Sequence, residues 1–131
     1  MDLGELAARL DQAADRVGPE IQRTVRHQAD RLRDAIRQNA SGRPGPNVIT
    51  GRYRESWTVV EFPVANGGGA DVGTNAPQGR RLELGFYDMT DSLGRHYFQP
   101  PFPHVEPAVS ELSPRYEQAF RAALGDIFGG A

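Results

Sequence analysis

The sequence contains no cysteine and no lysine. Without cysteine there is no disulfide framework, no thiolate metal site and no cysteine nucleophile. Because nucleases usually place a lysine beside their carboxylates, the missing lysine argues against that class of enzyme. All 15 basic residues are arginine, whose forked guanidinium suits subunit interfaces, although codon bias in a GC-rich genome would give the same composition.

A strong net charge and a long apolar run are missing as well. The formal net charge is −2, so there is no general basic field for nucleic acid. The first ten residues do not combine a basic segment with an apolar run, and no stretch approaches membrane-spanning length. We therefore expect no signal peptide and no membrane partner. We also expect a protein that is used in the cytosol or in a particle assembled there.

One long helix is predicted over residues 2–39. The apolar residues recur at three- and four-residue steps, which is typical of one helix face: Leu3, Leu6, Leu10, Ala14, Val17, Ile21, Val25, Leu32 and Ile36. Gly18-Pro19 interrupts the pattern, and since proline removes an amide donor we expect a kink or a break there. Residues 1–20 are mostly acidic and residues 21–40 mostly basic. This asymmetry complements the helix dipole, or it serves neighbours of opposite charge in an assembly.

A loop and a β-hairpin are predicted next. Residues 40–51 contain two prolines and three glycines, which forbid a helix and favour a loop. Residues 52–64 have the β-branched and aromatic composition of a strand. Asn-Gly-Gly-Gly at 66–69 is a strong turn signal, and a second strand is expected at 70–74.

The remaining residues predict an arm and a second helix. Residues 80–86 suit either a short helix or a strand, and residues 91–94 suit a turn. Residues 96–103 predict an extended aromatic arm, because each proline biases its predecessor toward extended geometry. A helix over 104–128 follows, with a kink or a restart at Pro114.

This order of elements predicts an α+β fold in a single domain over residues 1–131. The domain comprises a helical part (1–39), a loop (40–51), a hairpin and arm (52–103) and a C-terminal helix (104–128). Two helices would cover a small antiparallel sheet, whose free edges invite pairing with another subunit.

No constellation of catalytic groups is evident. The histidines, His27, His96 and His104, lack metal-ligand spacing. Four carboxylates that could serve Mg²⁺ in a nuclease are predicted to lie on turns and strand ends, where aspartate is common for local hydrogen bonding: Asp71, Glu83, Asp88 and Asp91. We predict no catalytic residue, no metal, no cofactor and no enzymatic activity, with a metal-dependent hydrolase as a weak option.

Nucleic-acid binding is the alternative function. The arginines at 23–37, followed by Arg43, could form a basic stripe on the first helix. Asp30 and Asp34 lie at helical pairing distance from these arginines, however, which favours a solvated and salt-bridged face.

The order of four motifs resembles a family of long-tailed bacteriophage proteins, called tail-component, tail-completion or neck proteins. The motifs are TGRYRESW at 50–57, DVGT at 71–74, LELG at 82–85 and PPFPHVEPA at 100–108. They resemble the "T-G-x-L-R-x-S", "V-G", "E-x-G" and "P-P-x-P-F-x-x-P-A" segments of that family. The chain departs from the family at 78–81, where an aromatic-alanine pair is usual, and it has a longer loop after 85.

The resemblance implies a non-enzymatic virion protein at the head–tail junction, assembled in the host bacterial cytoplasm. It implies a homo-oligomeric ring, commonly a hexamer, between the head connector or head-completion protein and the tail-tube protein. DNA would pass through the ring without sequence-specific binding. We hypothesise that the subunit contacts are anchored by Trp57, Tyr97, Phe98, Pro101 and Phe102, although Trp57 could equally fill the core of its own subunit.

Overall fold

The computed structural model describes residues 1–48, 50–62, 64–65 and 67–129, without the side chains of 87–89. The predicted α+β class is confirmed. Along the chain, a long N-terminal helix comes first and a C-terminal helix last, with short helices and two small sheets between them. The helices are α1 (Leu3–Asn39), α2 (Arg52–Glu55), α3 (Gly79–Leu84) and α4 (Val105–Gly129). The strands are β1 (Thr58–Phe62), β2 (Gly69–Gly73), β3 (Phe86–Thr90) and β4 (His96–Gln99).

The first helix is continuous over 37 residues. Two reciprocal hydrogen bonds cap its start. The Asp2 carboxylate accepts a hydrogen bond from the Glu5 amide at 2.7 Å, and the Glu5 carboxylate accepts one from the Asp2 amide at 3.2 Å. This arrangement is a capping box that satisfies amides left unpaired at a helix start. Pro19 lies inside the helix, which excludes the break at Gly18-Pro19, while the kink that was the other expectation there stays a prediction. Proline removes a single donor, and the turns on both sides keep their own hydrogen bonds.

The strand predicted over 52–64 begins later than expected. Gly51 has a φ of 79° and turns the chain into α2, where the Glu55 amide donates to the Gly51 carbonyl at 3.0 Å. The Thr50 hydroxyl also accepts the Arg52 amide at 3.2 Å. This local turn therefore overrides strand propensity until β1. β1 pairs with β2, which confirms the hairpin within one residue of its predicted second strand.

The first half of the arm predicted at 96–103 is a β-strand. Its first part is β4, which pairs antiparallel with β3 and places Phe86 opposite Gln99 and Thr90 opposite His96. The extended geometry predicted for 96–99 is confirmed, and the pairing with β3 is an addition to that prediction: β3 supplies partners for backbone groups that would otherwise need water. The predicted turn at 91–94 joins the two strands, with the Gly94 amide donating to the Asp91 carbonyl at 3.1 Å.

Two regions whose structure the sequence left open, residues 80–86 and the C-terminal helix around Pro114, are helical. Residues 80–86 fall mainly in α3, which ends where Gly85 adopts a φ of 70°. The C-terminal helix runs through Pro114 without restarting. Its predicted bounds, 104–128, differ from the observed ones by one residue at each end.

The chain forms two compact units. The first comprises Met1–Arg31, Val59–Asp71 and Leu112–Ala131, and the second comprises Leu32–Thr58 and Val72–Glu111. In the second unit Ile36, Trp57 and Ala108 form a buried cluster. In the first unit the buried side chains include Ala13, Gln28, Ala29, Leu112 and Ile127. The single domain over 1–131 stays a prediction. Within the described residues, no helix has the length and apolar character needed to cross a bilayer.

Candidate interaction site

An arginine-rich, aromatic pocket lies in the second unit and has a volume of about 780 Å³. Four segments build it: the loop after α1, the short helix α2, the helix α3 with the residue before it, and the β3–β4 hairpin with the residues that follow it. Its volume falls in the range of sites that bind ligands or side chains. No aspartate or glutamate is found among the described residues that line it. The charged and aromatic side chains of the lining are Arg43, Arg52, Tyr53, Arg54, Phe86, Tyr97, Phe98 and Phe102.

The hairpin holds two of the predicted interface residues at this pocket. Tyr97 and Phe98 remain 44% and 63% exposed. The Tyr97 hydroxyl donates to the Asp91 carboxylate at 2.9 Å, and the same carboxylate accepts Arg95 Nε at 2.7 Å. Both aromatic rings are therefore presented on a turn whose geometry is fixed by Asp91.

The environment of Asp91 lowers the pKa of its carboxyl. The Arg95 amide and guanidinium, the Tyr97 hydroxyl and the Leu93 amide all stabilise the charged form and outweigh partial burial. The same hydrogen bond to Asp91 raises the pKa of the Tyr97 hydroxyl. Asp91 is therefore the centre of a charged turn, and among the described side chains it belongs to no carboxylate cluster that could hold a metal ion.

Phe102 lies under an arginine. The guanidinium carbon of Arg43 is 3.7 Å from the ring centroid, which is a cation–π arrangement. The Phe102 amide donates to the Leu82 carbonyl at 2.7 Å, so α3 holds this residue in place. Phe102 is half-buried and Pro101 is exposed.

Trp57 occupies a different environment from the other four predicted interface residues. It is only 7% exposed and belongs to the core of the second unit. Its ring meets those of Tyr53 and His104 edge-on, at centroid distances of 6.4 and 6.0 Å. The surface that could meet another subunit is thus carried by Tyr97, Phe98, Pro101 and Phe102, and their interface role stays a prediction.

A buried polar network lies beside this surface. His104 is fully buried, with Nε2 2.6 Å from the Tyr53 hydroxyl and Nδ1 2.8 Å from the Phe102 carbonyl oxygen. With the proton on Nδ1, the ring donates to that carbonyl and accepts from Tyr53, so both nitrogens are satisfied. Burial raises the pKa of the Tyr53 hydroxyl. The network holds α2 and the start of α4 together.

Glu83 is the member of this network that the sequence pattern did not reveal. Its carboxylate accepts the backbone amides of His104, Val105 and Glu106 at 2.8, 3.1 and 3.0 Å. Burial raises the pKa of Glu83, but these three amides and nearby His104 outweigh it, so the pKa is lowered from its ordinary value. A signal was available: the residue before α4 is a histidine and not one of the usual N-cap residues, so another residue must cap the helix.

The other residues considered for a metal are spread over the chain. Asp71 lies on β2, Glu83 on α3 and Asp91 in the hairpin turn, whereas the side chain of Asp88 is outside the described residues. His27 lies on α1 and His96 on β4. In the part of the chain that the structure describes, no three histidine, aspartate or glutamate residues are placed to hold a metal ion.

Several arginines of the first helix are paired with acids. Arg26 contacts Asp30 at 3.1 Å and Glu61 at 2.7 Å, and Arg33 contacts Asp34 at 3.1 Å. Hydrogen bonds from Gln22 and Arg26 lower the pKa of the Glu61 carboxyl. Arg37 donates to the Trp57 carbonyl at 2.6 Å. These pairs give the salt-bridged face that the sequence predicted and weaken the case for a stripe that binds phosphates.

The chain thus combines a long capped helix, small hairpins and an exposed aromatic pocket. A protein-family model described as "Bacteriophage HK97-gp10, putative tail-component" matches residues 4–85. The chain therefore belongs to the HK97-gp10-like family of bacteriophage tail components, and the resemblance noted in the motifs is confirmed. As a phage tail component it is a structural protein of the virion. No curated protein and no solved structure matches it significantly.

Proposed function

We propose that the protein is a ring-forming subunit of the neck, at the junction between phage head and tail. It acts there as a tail-completion or tail-terminator-like protein that links the head connector, or head-completion protein, to the tail tube. Its role is mechanical and not enzymatic. The observation that carries the proposal is the exposed aromatic and arginine-lined pocket in a member of a tail-component family.

A closed ring requires a heterologous contact, in which one patch of a subunit meets a different patch of the next. The pocket is suited to be one of these patches, because interface anchors are enriched in aromatic residues and arginine. The hairpin keeps Tyr97 and Phe98 exposed at a fixed position, which reduces the entropy lost on docking. We propose a hexamer, as is common for related neck rings.

DNA would pass through the channel of this ring without sequence-specific contacts. The acid partners of Arg26 and Arg33 support this part of the proposal, since paired guanidinium groups release few counterions from DNA phosphates.

The proposal can be tested with a single exposed aromatic residue. The oligomer mass of the purified protein is measured by light scattering, alone and with its tail-tube partner, and the complex is imaged by electron microscopy. We expect rings for the unchanged protein and a loss of rings for Phe98→Ser. Leu93→Ser is the matched control, because Leu93 is 75% exposed on the turn of the same hairpin but does not line the pocket.

Assembly of the Phe98→Ser variant into rings of unchanged mass and stability would contradict the interface role of the hairpin. A protein that stays monomeric with and without the tail-tube partner would contradict the ring itself.

A further inference from the structure

The first three turns of α1 expose an apolar stripe. Leu3, Leu6 and Leu10 are 85%, 38% and 47% exposed. Every residue from 1 to 12 is exposed, so nothing in the described chain covers this stripe. Leucines at three- and four-residue spacing are the pattern by which an amphipathic helix docks into a groove.

This helix end is rigid although it is exposed. The reciprocal hydrogen bonds between Asp2 and Glu5 cap its first turn, and a capped helix start is stabilised against fraying. A helix that is ordered before it binds loses less conformational entropy when it docks. The cap therefore favours a segment that is prepared to bind another surface.

The pocket of the second unit matches this segment in charge and polarity. Its charged lining residues are Arg43, Arg52 and Arg54, and they surround aromatic side chains. Over residues 1–15 the segment carries four acids and one arginine. Apolar side chains flanked by acids fit an aromatic pocket flanked by arginines, since complementary potentials select the partner.

A second copy of this chain is the source of the segment that the charges favour. One chain carries both complementary elements, the leucine stripe with the acids of residues 1–15 and the pocket with its arginines. Identical subunits can therefore each supply the stripe to one neighbour and the pocket to another.

We infer that the leucine stripe at the start of α1 docks into the arginine-lined aromatic pocket of the next copy of this chain. The contact joins two different patches, so it can repeat around a closed ring. The inference rests on the proposed function in one respect, because it names the contact by which the proposed ring closes.

Cysteine crosslinking can test this contact cleanly, because the natural chain has no cysteine. A tagged full-length Val48→Cys variant is mixed with an untagged Leu6→Cys or Leu3→Cys variant and treated with a short bismaleimide. Val48 lines the pocket and is 41% exposed, so this change keeps the aromatic and arginine side chains of the pocket in place. The control is Ala8→Cys, which is exposed on the same turns but points about 200° away from Leu6 around the helix axis. The fraction of heterodimer is read on a denaturing gel.

We expect Leu6→Cys and Leu3→Cys to give several-fold more heterodimer with Val48→Cys than Ala8→Cys gives. The yield should fall as salt is added, because the flanking charges lie near the surface. Equal yields for Leu6→Cys and Ala8→Cys, or no heterodimer, would overturn the docking. Preferential crosslinking of Val48→Cys to added tail-tube protein would also overturn it, since the pocket would then belong to that partner.

The mass of the unchanged protein separates this inference from the ring proposal. If the protein forms rings but does not give the specific crosslink, the ring proposal is supported and the docking inference is rejected. The specific crosslink in a concentrated mixture that forms only open chains or dimers would support the docking and reject the ring.

Discussion

Glu83 shows how a single carboxylate can set the start of a helix that is distant in sequence. It lies on α3 and is 17% exposed, and it accepts three successive amides at the beginning of α4. These are amides that a helix leaves without an internal partner. The negative charge also complements the positive end of the helix dipole. Glu83 therefore links α3 to α4 through backbone atoms and not through side-chain packing.

Replacing this carboxylate should destabilise the protein in a way that depends on pH. We expect Glu83→Gln to lower the free energy of unfolding by about 1–2 kcal/mol at pH 7, a typical cost of losing a helix cap. The lowered pKa of Glu83 means that its contribution is complete above the ordinary glutamate pKa of about 4.3 and is lost as the pH falls through the folded-state value. Urea denaturation at several pH values measures both effects.

Glu111→Gln is the matched control, because Glu111 is exposed on the same helix. Its effect should stay within about 0.5 kcal/mol, as for most surface substitutions. Equal losses for the two variants would show that Glu83 does not cap α4.

Tyr53 and Tyr116 offer a second comparison at the residue scale. The Tyr53 hydroxyl pairs with His104, whose ring is fully buried. Among the residues that the structure describes, none accepts or donates a hydrogen bond at the buried Tyr116 hydroxyl. We expect Tyr53→Phe to cost about 1–3 kcal/mol, because it leaves a buried imidazole nitrogen unpaired, and Tyr116→Phe to be neutral or mildly stabilising. Thermal unfolding of both variants measures the difference. A larger loss of stability for Tyr116→Phe than for Tyr53→Phe would contradict the proposed network.

At the scale of secondary-structure elements, the junction between the short elements α3 and β3 depends on a glycine, whereas the long helices do not. Gly85 ends α3 and begins β3 with a φ of 70°. A Cβ atom at this position would lie 2.7 Å from both the Gln99 carbonyl oxygen and the Pro101 nitrogen. The backbone of the segment after β4 therefore approaches this turn more closely than any side chain allows.

Two glycine-to-alanine variants should consequently have opposite effects. Gly85→Ala should destabilise by at least about 1–3 kcal/mol, because alanine is strained at positive φ and its Cβ meets backbone atoms. Gly125→Ala should stabilise by about 0.5–1 kcal/mol, because Gly125 lies within α4 with open space around it and alanine is the better helix former. Denaturation midpoints measure both, and a neutral Gly85→Ala would show that the turn is not fixed.

At the scale of the whole molecule, the distribution of charge separates a structural subunit from a nucleic-acid-binding module. The net charge is −2, and Arg23, Arg26 and Arg33 pair with acids on the same helix or on β1. The acids of residues 1–15 and the arginines of the pocket are the charged patches that the proposed docking would bring together.

DNA binding should accordingly be weak. Fluorescence anisotropy with duplex DNA at about 0.05 M and about 0.2 M salt should show little binding and little salt dependence, because few phosphates would be neutralised. As a positive comparison, Asp30→Asn, Asp34→Asn and Glu61→Gln together should increase both the binding and its salt dependence, since they remove the acid partners of Arg26 and Arg33. Tight, strongly salt-dependent binding by the unchanged protein would favour the nucleic-acid-binding alternative.

The site was only partly predictable from the sequence. The aromatic residues at 97, 98 and 102 could be singled out because they lie in a proline-rich segment, and the structure leaves Tyr97 and Phe98 exposed and Phe102 half-buried. Trp57 could not be assigned to the core or the surface, because a strand pattern alone does not say which face is covered. The pocket arginines precede the hairpin by 32 residues or more (86 − 54) in the chain, so their proximity depends on long-range folding.

What the sequence by itself determined is local: the two long helices from their apolar spacing, the hairpin turns from asparagine, aspartate and glycine, and the family from the order of four motifs. These features depend on neighbours within a few residues, and local rules describe them well. What only the tertiary structure decided is the strand at 96–99, the helical turn at 52–55, the core position of Trp57 and the capping of α4 by Glu83. Each of these depends on satisfying a buried polar group or apolar surface with a partner distant in sequence, and a linear pattern does not contain that information.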